Sequence, residues 1–406
     1  MDVRTDDMND SNYKSILYLL MFNMFITMGG IGMIVPVMPA YLEVFDARGQ
    51  IYGFLIATFS FSQFIFSPII GNYSDRYGRK NFIITGLIIY GFAQLLFGYT
   101  DELWVLFVSR FMSGLGAAFI MPTILAYVGD ITPLEDRGKG MSLVGAATSL
   151  GFTIGPAIGG GLAEVNIDLP FYFAGIVAFI VAFLTFRMLP HQEKKASSQI
   201  RIPHENIFKQ LTLSVKLPYF VFLIVVFTFS FGIANIQATM SLFLDDKFNY
   251  SPFLISTILA VSGLSGVIIQ LFIIDKLFAR FGEVKIIMVN LMITAVTLYL
   301  LIYVSGYFLI LTVASLNAIA ATLIRPAVNT VISKMAGNGQ GFAAGMNNAY
   351  MSLGNMIGPI CAGLLYDWKM EAPYVFGTFI LLSCFTLTFI WSFKKSKSVG
   401  AVAESP

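Results

Sequence analysis

Twelve stretches of the chain, each about 20 residues or longer, are almost wholly apolar, and no other feature so narrows what it can fold into. A bilayer offers backbone N–H and C=O groups no partner, so such a segment must satisfy its own as an α-helix. The stretches fall near 15–42, 51–72, 80–99, 103–129, 138–163 and 170–189, then near 218–244, 252–274, 284–304, 306–334, 341–366 and 373–393. With 57% hydrophobic and 12% charged residues over 406 positions and a mean hydropathy of +0.77, there is too little polar surface for a soluble protein. An all-α polytopic membrane protein is expected.

The twelve stretches form two copies of one half. Residues 149–160 read SLGFTIGPAIGG, and 203 positions later residues 352–363 read SLGNMIGPICAG. Pro170 and Phe173 fall on Pro373 and Phe376 at the same offset, while Arg76, Tyr77 and Gly78 fall on Arg280, Phe281 and Gly282 at an offset of 204. Parallel repeats of this kind are a transporter signature. Residues 190–217 carry Pro190, Pro203, His191, His204, Ser197, Ser198 and several Lys and Arg, which reads as a polar connector. The expected division is therefore a six-helix bundle over 1–189, a cytoplasmic linker over 190–217 and a second six-helix bundle over 218–406.

Charge sets the orientation. With both termini cytoplasmic, 20 Lys and Arg lie inside and only Arg48, Lys247 and Lys369 outside, which fits the positive-inside rule. No cleavable signal is visible before the first stretch, so the N-terminus is expected to stay inside. Cys361 and Cys384 sit in predicted helices and indicate neither a disulfide nor a metal site. Nucleotide-binding G-x-x-x-x-G-K is absent, and His204-Glu205 lacks the second histidine of a zinc helix. Neither an enzyme, a cofactor nor a nucleic-acid partner is expected; the chain is expected to act as a monomer among membrane lipids.

Three motifs carry mechanism. Residues 71–80 read GNYSDRYGRK after the second stretch. Gly71 would let a neighbouring helix approach, Asp75 could cap a helix or pair with a cation, and Arg76, Arg79 and Lys80 would face anionic lipid. In the fourth stretch Arg110 stands in LFVSRFMSGLGAAF; a mid-membrane arginine costs about 2.5 to 3.5 kcal/mol on an insertion scale, so it should face the bundle interior. The fifth stretch has Gly151, Gly155, Pro156, Gly159 and Gly160, with Gly358 and Pro359 repeating the core of this pattern in the eleventh. Small residues permit close helix contact, and proline removes a backbone donor and invites a bend. The first motif, with Gly71, Asp75, Arg76, Gly78 and Arg79, resembles the hallmark loop of the major facilitator superfamily. The second resembles its R-x-x-x-G-x-G motif and the third the motif of its drug antiporters. The fold that this resemblance implies is two six-helix bundles related by a pseudo-twofold axis.

Within that superfamily the chain resembles the twelve-helix drug:proton antiporters of the NorA type, on FNMFITMGGIGMIVPVMPAYL, FSQFIFSPIIG, IRPAVN and GQGFAAGMNNAYMSLGNMIGP. The resemblance implies export of small amphiphilic substrates in exchange for protons. It also implies a cavity lined by Met28, Ile31, Phe59, Gln63, Arg110, Phe152, Gln237, Arg325 and Asn355. Aromatic and Met side chains with a few amides accept varied lipophilic cations and zwitterions.

The charge census departs from that pattern. Of 23 acids, 13 fall on the inner side and 10 on the outer, leaving Arg110 and Arg325 as the intramembrane charges. Gln237 and Thr322 align where NorA-type pumps carry carboxylates. Two arginines without acids favour neutral, zwitterionic or anionic substrates over simple cations. Proton uptake would then move to the membrane edge, to Asp75 or Asp130 inside, or Glu43 or Glu164 outside; Asp130 with Asp75 and Arg76 resembles a charge relay of the superfamily. A latch without titration, an uncoupled facilitator and an exporter of a lipid or lipid-linked solute stay open as alternatives.

Overall fold

A computed structural model describes residues 10–47, 49–132, 137–190, 212–336 and 340–403, with backbone alone at 10–12, 72, 75, 76, 137–139, 275, 340–342, 344, 345 and 394–403. The connector residues 191–211, His191 and His204 among them, lie outside the described residues, and so do the side chains of Asp75 and Arg76. The helices are α1 (Asp10–Ile34), α2 (Met38–Glu43), α3 (Gly49–Tyr77), α4 (Arg79–Tyr99), α5 (Leu103–Ile131), α6 (Arg137–Ala163) and α7 (Leu169–Met188). There follow α8 (Phe220–Phe248), α9 (Pro252–Phe272), α10 (Ile274–Phe281), α11 (Glu283–Leu300), α12 (Tyr307–Ala336), α13 (Gln340–Trp368) and α14 (Ala372–Ala403).

Among the described residues, eleven of these helices are long and apolar enough to cross a membrane, and the chain is a multi-pass membrane protein. The long helix outside that set is α13, whose hydropathy is lowered by Asn347, Asn348 and Asn355. Large apolar side chains cover the periphery: Ile176, Ile180, Phe183 and Phe186 form an exposed stripe on α7 at three- and four-residue spacing. In water such a stripe would be a liability, whereas in lipid it is the solvent-matched face.

Several helix ends correct the sequence reading. The stretch expected as one helix over 15–42 is two, because Pro36 lacks an amide hydrogen and Pro39 starts α2, so the chain turns between Ile34 and Met38. The expected loop at 71–80 is almost all helix, since α3 runs through Tyr77 and α4 begins at Arg79. Gly78 alone makes the turn, at φ 94°, a conformation that side chains with a Cβ resist. Its repeat partner Gly282 does the same at φ 74° between α10 and α11. The eighth stretch stops at Phe272 and the chain restarts as the short amphipathic α10, with neither proline nor glycine marking the break. The turn expected at Ser305 spans 301–306, with Gly306 at φ 87°.

Contacts divide the chain into two compact units. Unit 1 takes the described residues of Met1–Ile200 with Ser241–Ala260, and unit 2 those of Arg201–Met240 with Val261–Pro406. In unit 1, α1 packs on α6, α5 on α3 and α4, and α4 on α7. Its core is fully enclosed, with Leu20, Ile83, Leu87, Tyr90, Ile120, Ile124 and Tyr127 at 0% exposure. In unit 2, α11 packs on α12 and α14.

Candidate functional site

Glycine sets how closely α6 meets α1. A Cβ on Gly151 would run into the Phe25 carbonyl oxygen, one on Gly155 into that of Gly29, and one on Gly159 into that of Met33. The three glycines are four residues apart, one helical turn, so a single ridgeless stripe lies against the α1 backbone. Unit 2 repeats the crossing between α13 and α8. A Cβ on Gly354 would lie 2.6 Å from the Phe227 carbonyl oxygen, and one on Gly358 2.6 Å from that of Phe231. The third rung differs, because the position matching Gly159 is the buried Ala362. Pro156 and Pro359 lie inside α6 and α13 beside these stripes. The Pro156 ring meets α1 at Gly32, where a Cβ would stand 3.0 Å from its Cδ.

The same arithmetic places Arg110. On α5, a Cβ at Gly114 would collide with the Phe59 carbonyl oxygen of α3, and one at Gly116 would lie 2.9 Å from the Gly86 oxygen of α4. Close approach on both sides walls in the residue one turn earlier. Arg110 is 8% exposed, and its guanidinium lies over the Phe97 ring, 4.3 Å from the centroid. Phe97 is itself held by Tyr41, whose hydroxyl donates to the Phe97 carbonyl at 2.7 Å, and by the Phe171 ring at 4.6 Å. Among the described residues no carboxylate pairs with Arg110; the groups near enough to act on its charge are Tyr52, Tyr90 and Tyr41. Gln94 Nε2 donates to the Tyr90 hydroxyl at 2.6 Å, and Tyr90 donates to the Thr27 carbonyl at 3.4 Å.

At the other end of α5, Arg79 Nε donates to Asp130 Oδ2 at 2.5 Å, with the side chains 13% and 31% exposed. Among the described side chains the partner of Asp130 is Arg79, which the Gly78 turn places at the start of α4; the side chain of Arg76, expected in the same relay, lies outside the described residues. Counting 204 residues on from Arg79 and Asp130 reaches Glu283 and Lys334, and these two also form an ion pair at 2.5 Å. The repeat keeps the position and inverts both charges. Glu283 begins α11 and Lys334 stands in the last turn of α12, each matching its helix dipole, while Arg79 and Asp130 oppose theirs. Among the described residues nothing lies within 4 Å of where a Cβ on Gly71 would be, and the close approach between α3 and α5 is made at Gly114.

Unit 2 holds a cleft walled by α8, α12 and α13. Arg325 opens into it with Asn329, Asn347 and Ser230, and Val225, Val226, Phe229, Ile324 and Val328 supply its apolar side. Arg325 Nη2 donates to the Met351 thioether at 2.6 Å and has no acidic partner among the described residues. Of the other residues expected to bind substrate, Met28 is buried on α1, Ile31 and Phe152 are half-buried on α1 and α6, and Phe59 and Gln63 are half-buried on α3. Gln63 Nε2 donates to the Met121 thioether at 2.9 Å. Gln237 is exposed on α8 and Asn355 half-buried on α13. Thr322 turns toward α9, its Oγ1 lying 2.5 Å from a Cβ built on Gly266. Among the candidate edge acids, Glu43 and Glu164 are exposed and Asp130 is paired. Sequence reasoning missed the Arg79, Glu283 and Lys334 pairings, the tyrosines around Arg110 and the amides around Arg325. The first could have been found by carrying the offset of 204 through every charged residue.

Comparison with known proteins agrees with this architecture. The profile described as Major Facilitator Superfamily matches residues 20–233 and 222–405. Multidrug resistance protein 2 of Bacillus subtilis (strain 168) is 38% identical over 390 residues, covering 95% of this chain and 98% of that protein. Quinolone resistance protein NorA of Staphylococcus aureus (strain Mu50 / ATCC 700699) is 36% identical over 358 residues, covering 88% of this chain and 91% of that protein. The fold also matches the crystal structure of a bacterial homolog to human lysosomal transporter, Spinster, in inward-facing and occupied conformation. That match has a TM-score of 0.77 and 15% identity, over 95% of this chain and 98% of the other.

Proposed function

The chain belongs to the major facilitator superfamily, and from that premise we propose that it exports small amphiphilic compounds from the cell in exchange for protons, by alternating access of two six-helix halves, 1–189 and 218–406. It resides in the cell membrane with both termini cytoplasmic, as the distribution of Lys and Arg favours. Support for the efflux reading comes from the relatives named for multidrug and quinolone resistance, which align over most of the chain.

The glycine stripes of α6 and α13 suit a joint that moves. Helices in contact through backbone can slide or tilt without unlocking interdigitated side chains, and the prolines inside both helices lower the resistance to bending. The substrate would meet Met28, Ile31, Phe59, Gln63, Phe152, Gln237, Arg325 and Asn355. The proton would be handled at the cytoplasmic edge, where Asp130 is held by Arg79. One charge crossing about 100 mV is worth roughly 2.3 kcal/mol, enough to concentrate a neutral substrate more than about tenfold.

Uptake of a fluorescent dye and of a quinolone into energised everted vesicles, whose cytoplasmic face is outermost, with and without a protonophore, tests the reading. Uptake that collapses with the protonophore is expected. Uptake indifferent to the protonophore would leave a facilitator, and no uptake of any amphiphile would leave a lipid or lipid-linked solute as cargo.

A further inference from the structure

We propose that α10 and the start of α11 form a docking site for an anionic phospholipid, whose phosphate is held by Lys276, Arg280 and Lys285 while its chains lie against the exposed end of α9. The inference is independent of the efflux reading.

Length places the site. Helix α9 has 21 residues, about 32 Å along its axis, which matches a hydrocarbon core of about 30 Å. Its end at Phe272 therefore falls at the boundary between acyl chains and headgroups, and α10 begins where the headgroups are. The repeat position in unit 1 has no such break, since α3 runs on for 29 residues to Tyr77.

Divergence between the repeats supplies the chemistry. At the offset of 204, Asn72 becomes Lys276, Ser74 becomes Phe278 and Asp75 becomes Ala279, while Arg76 is kept as Arg280. Gly71 becomes Asp275, the one acid of α10. Ile274, Leu277, Phe278 and Phe281 then fall on one helical face at spacings of three, four and seven, and Lys276 and Arg280 stand one turn apart on another. A short basic amphipathic helix of this kind suits the plane of a membrane surface.

The surface is open and its cations are available. Leu271 and Phe272 are 57% and 71% exposed, and Phe281 45%. Arg280 and Lys285 both lie over the Phe281 ring, 5.4 and 5.7 Å from its centroid, so cations of two successive helices converge on one phenyl. Lys276, Arg280 and Lys285 are exposed, and none has an ion pair among the described residues. Glu283 is taken by Lys334, which leaves Asp275 alone against three cations over residues 275–285. Positive charge beside exposed apolar side chains at headgroup depth complements a lipid whose phosphate has no balancing amine. A water-soluble anion would meet the charge and leave Leu271 and Phe272 uncovered.

The test places a fluorophore on α10 of the full-length protein through Ala279→Cys, with Cys361→Ala and Cys384→Ala, in phosphatidylcholine bilayers. Phosphatidylglycerol and phosphatidylcholine, each brominated near the headgroup end of its chains, are compared as quenchers at equal mole fraction. Phosphatidylglycerol should be enriched about fivefold at the fluorophore, the excess that one basic side chain near the surface confers. Lys276→Gln, Arg280→Gln and Lys285→Gln together should bring the ratio to about one, whereas exchanging Lys for Arg and Arg for Lys at the three positions should keep it. Raising salt from about 0.1 to about 1 M shortens the screening length from about 10 to about 3 Å and should lower the ratio without any substitution, which decides the matter if the triple variant does not fold. Excess inorganic phosphate at constant ionic strength should leave the ratio unaltered. A ratio near one before neutralisation, a preference undiminished by neutralisation or by salt, or one that free phosphate abolishes, overturns the proposal.

Discussion

Replacing Gly155 by alanine drives a methyl group into the backbone of α1. The new carbon would collide with the Gly29 carbonyl oxygen and stand 3.1 Å from both Gly29 C and Gly29 Cα, where ordinary contact begins at 3.4 Å. All three obstacles are main-chain atoms, so no side chain can swing aside and α1 must retreat by several tenths of an ångström. Overpacking of this sort costs about 1–3 kcal/mol, while alanine in a helix interior recovers up to about 1 kcal/mol over glycine. Gly145 separates the two effects, since it lies in the same helix with nothing within 4 Å of its would-be Cβ. Gly145→Ala should therefore show the propensity gain alone, and the two variants should differ by about 2 kcal/mol. For a unit of roughly 200 residues that difference separates their unfolding midpoints by about 4–8 °C. The assay is thermal unfolding of the purified variants in one detergent, followed by intrinsic fluorescence. Gly155→Ala unfolding at or above Gly145→Ala would refute the close-crossing argument, and Gly358→Ala, which meets the Phe231 carbonyl oxygen at 2.6 Å, should move in the same direction as Gly155→Ala.

Other expectations follow from the charges. A double-mutant cycle with Arg79→Gln and Asp130→Asn should give a coupling of about 1 kcal/mol in thermal unfolding, and the Glu283 and Lys334 cycle only a few tenths, because that lysine is 66% exposed; a larger coupling in the second pair would contradict this. Arg110→Gln should unfold at the wild-type temperature or higher and yet lose transport, because it removes a buried charge that no carboxylate among the described residues compensates; retained transport would deny Arg110 its role. Burial, and then the neighbouring Asp101, push the Asp168 carboxyl above its ordinary value of 3.8. The folded state then holds that proton more tightly than the unfolded one, so stability falls as pH rises from about 4 through the raised value, and Asp168→Asn should flatten that slope in unfolding measured against pH.

Most of the fold was legible because its causes are local and repeated. Apolar length gave the spans, and the SLG-x-x-IGP pattern gave the duplication. Where single residues decide, legibility was uneven. Pro36 and Pro39 do announce the break between α1 and α2, but the apolar run through them reads as continuous. The break before α10 carries no such mark, and only packing reveals it. At the cytoplasmic edge, the pairing of Arg79 with Asp130 depends on the turn at Gly78, which starts α4 at that arginine, and neither letter announces it. The cleft was harder still. Arg325 stood out as an intramembrane charge, whereas Asn329, Asn347 and Ser230 are unremarkable as letters and meet only when three helices bring them to one face.

Proton exchange for substrate is most directly tested with the purified protein in liposomes whose acidic interior carries a pH-sensitive dye. Addition of a quinolone outside should raise the internal pH in a saturable way, as substrate enters and protons leave through molecules whose cytoplasmic face is outermost. Substrate entry with no change in internal pH would contradict antiport and leave an uncoupled facilitator.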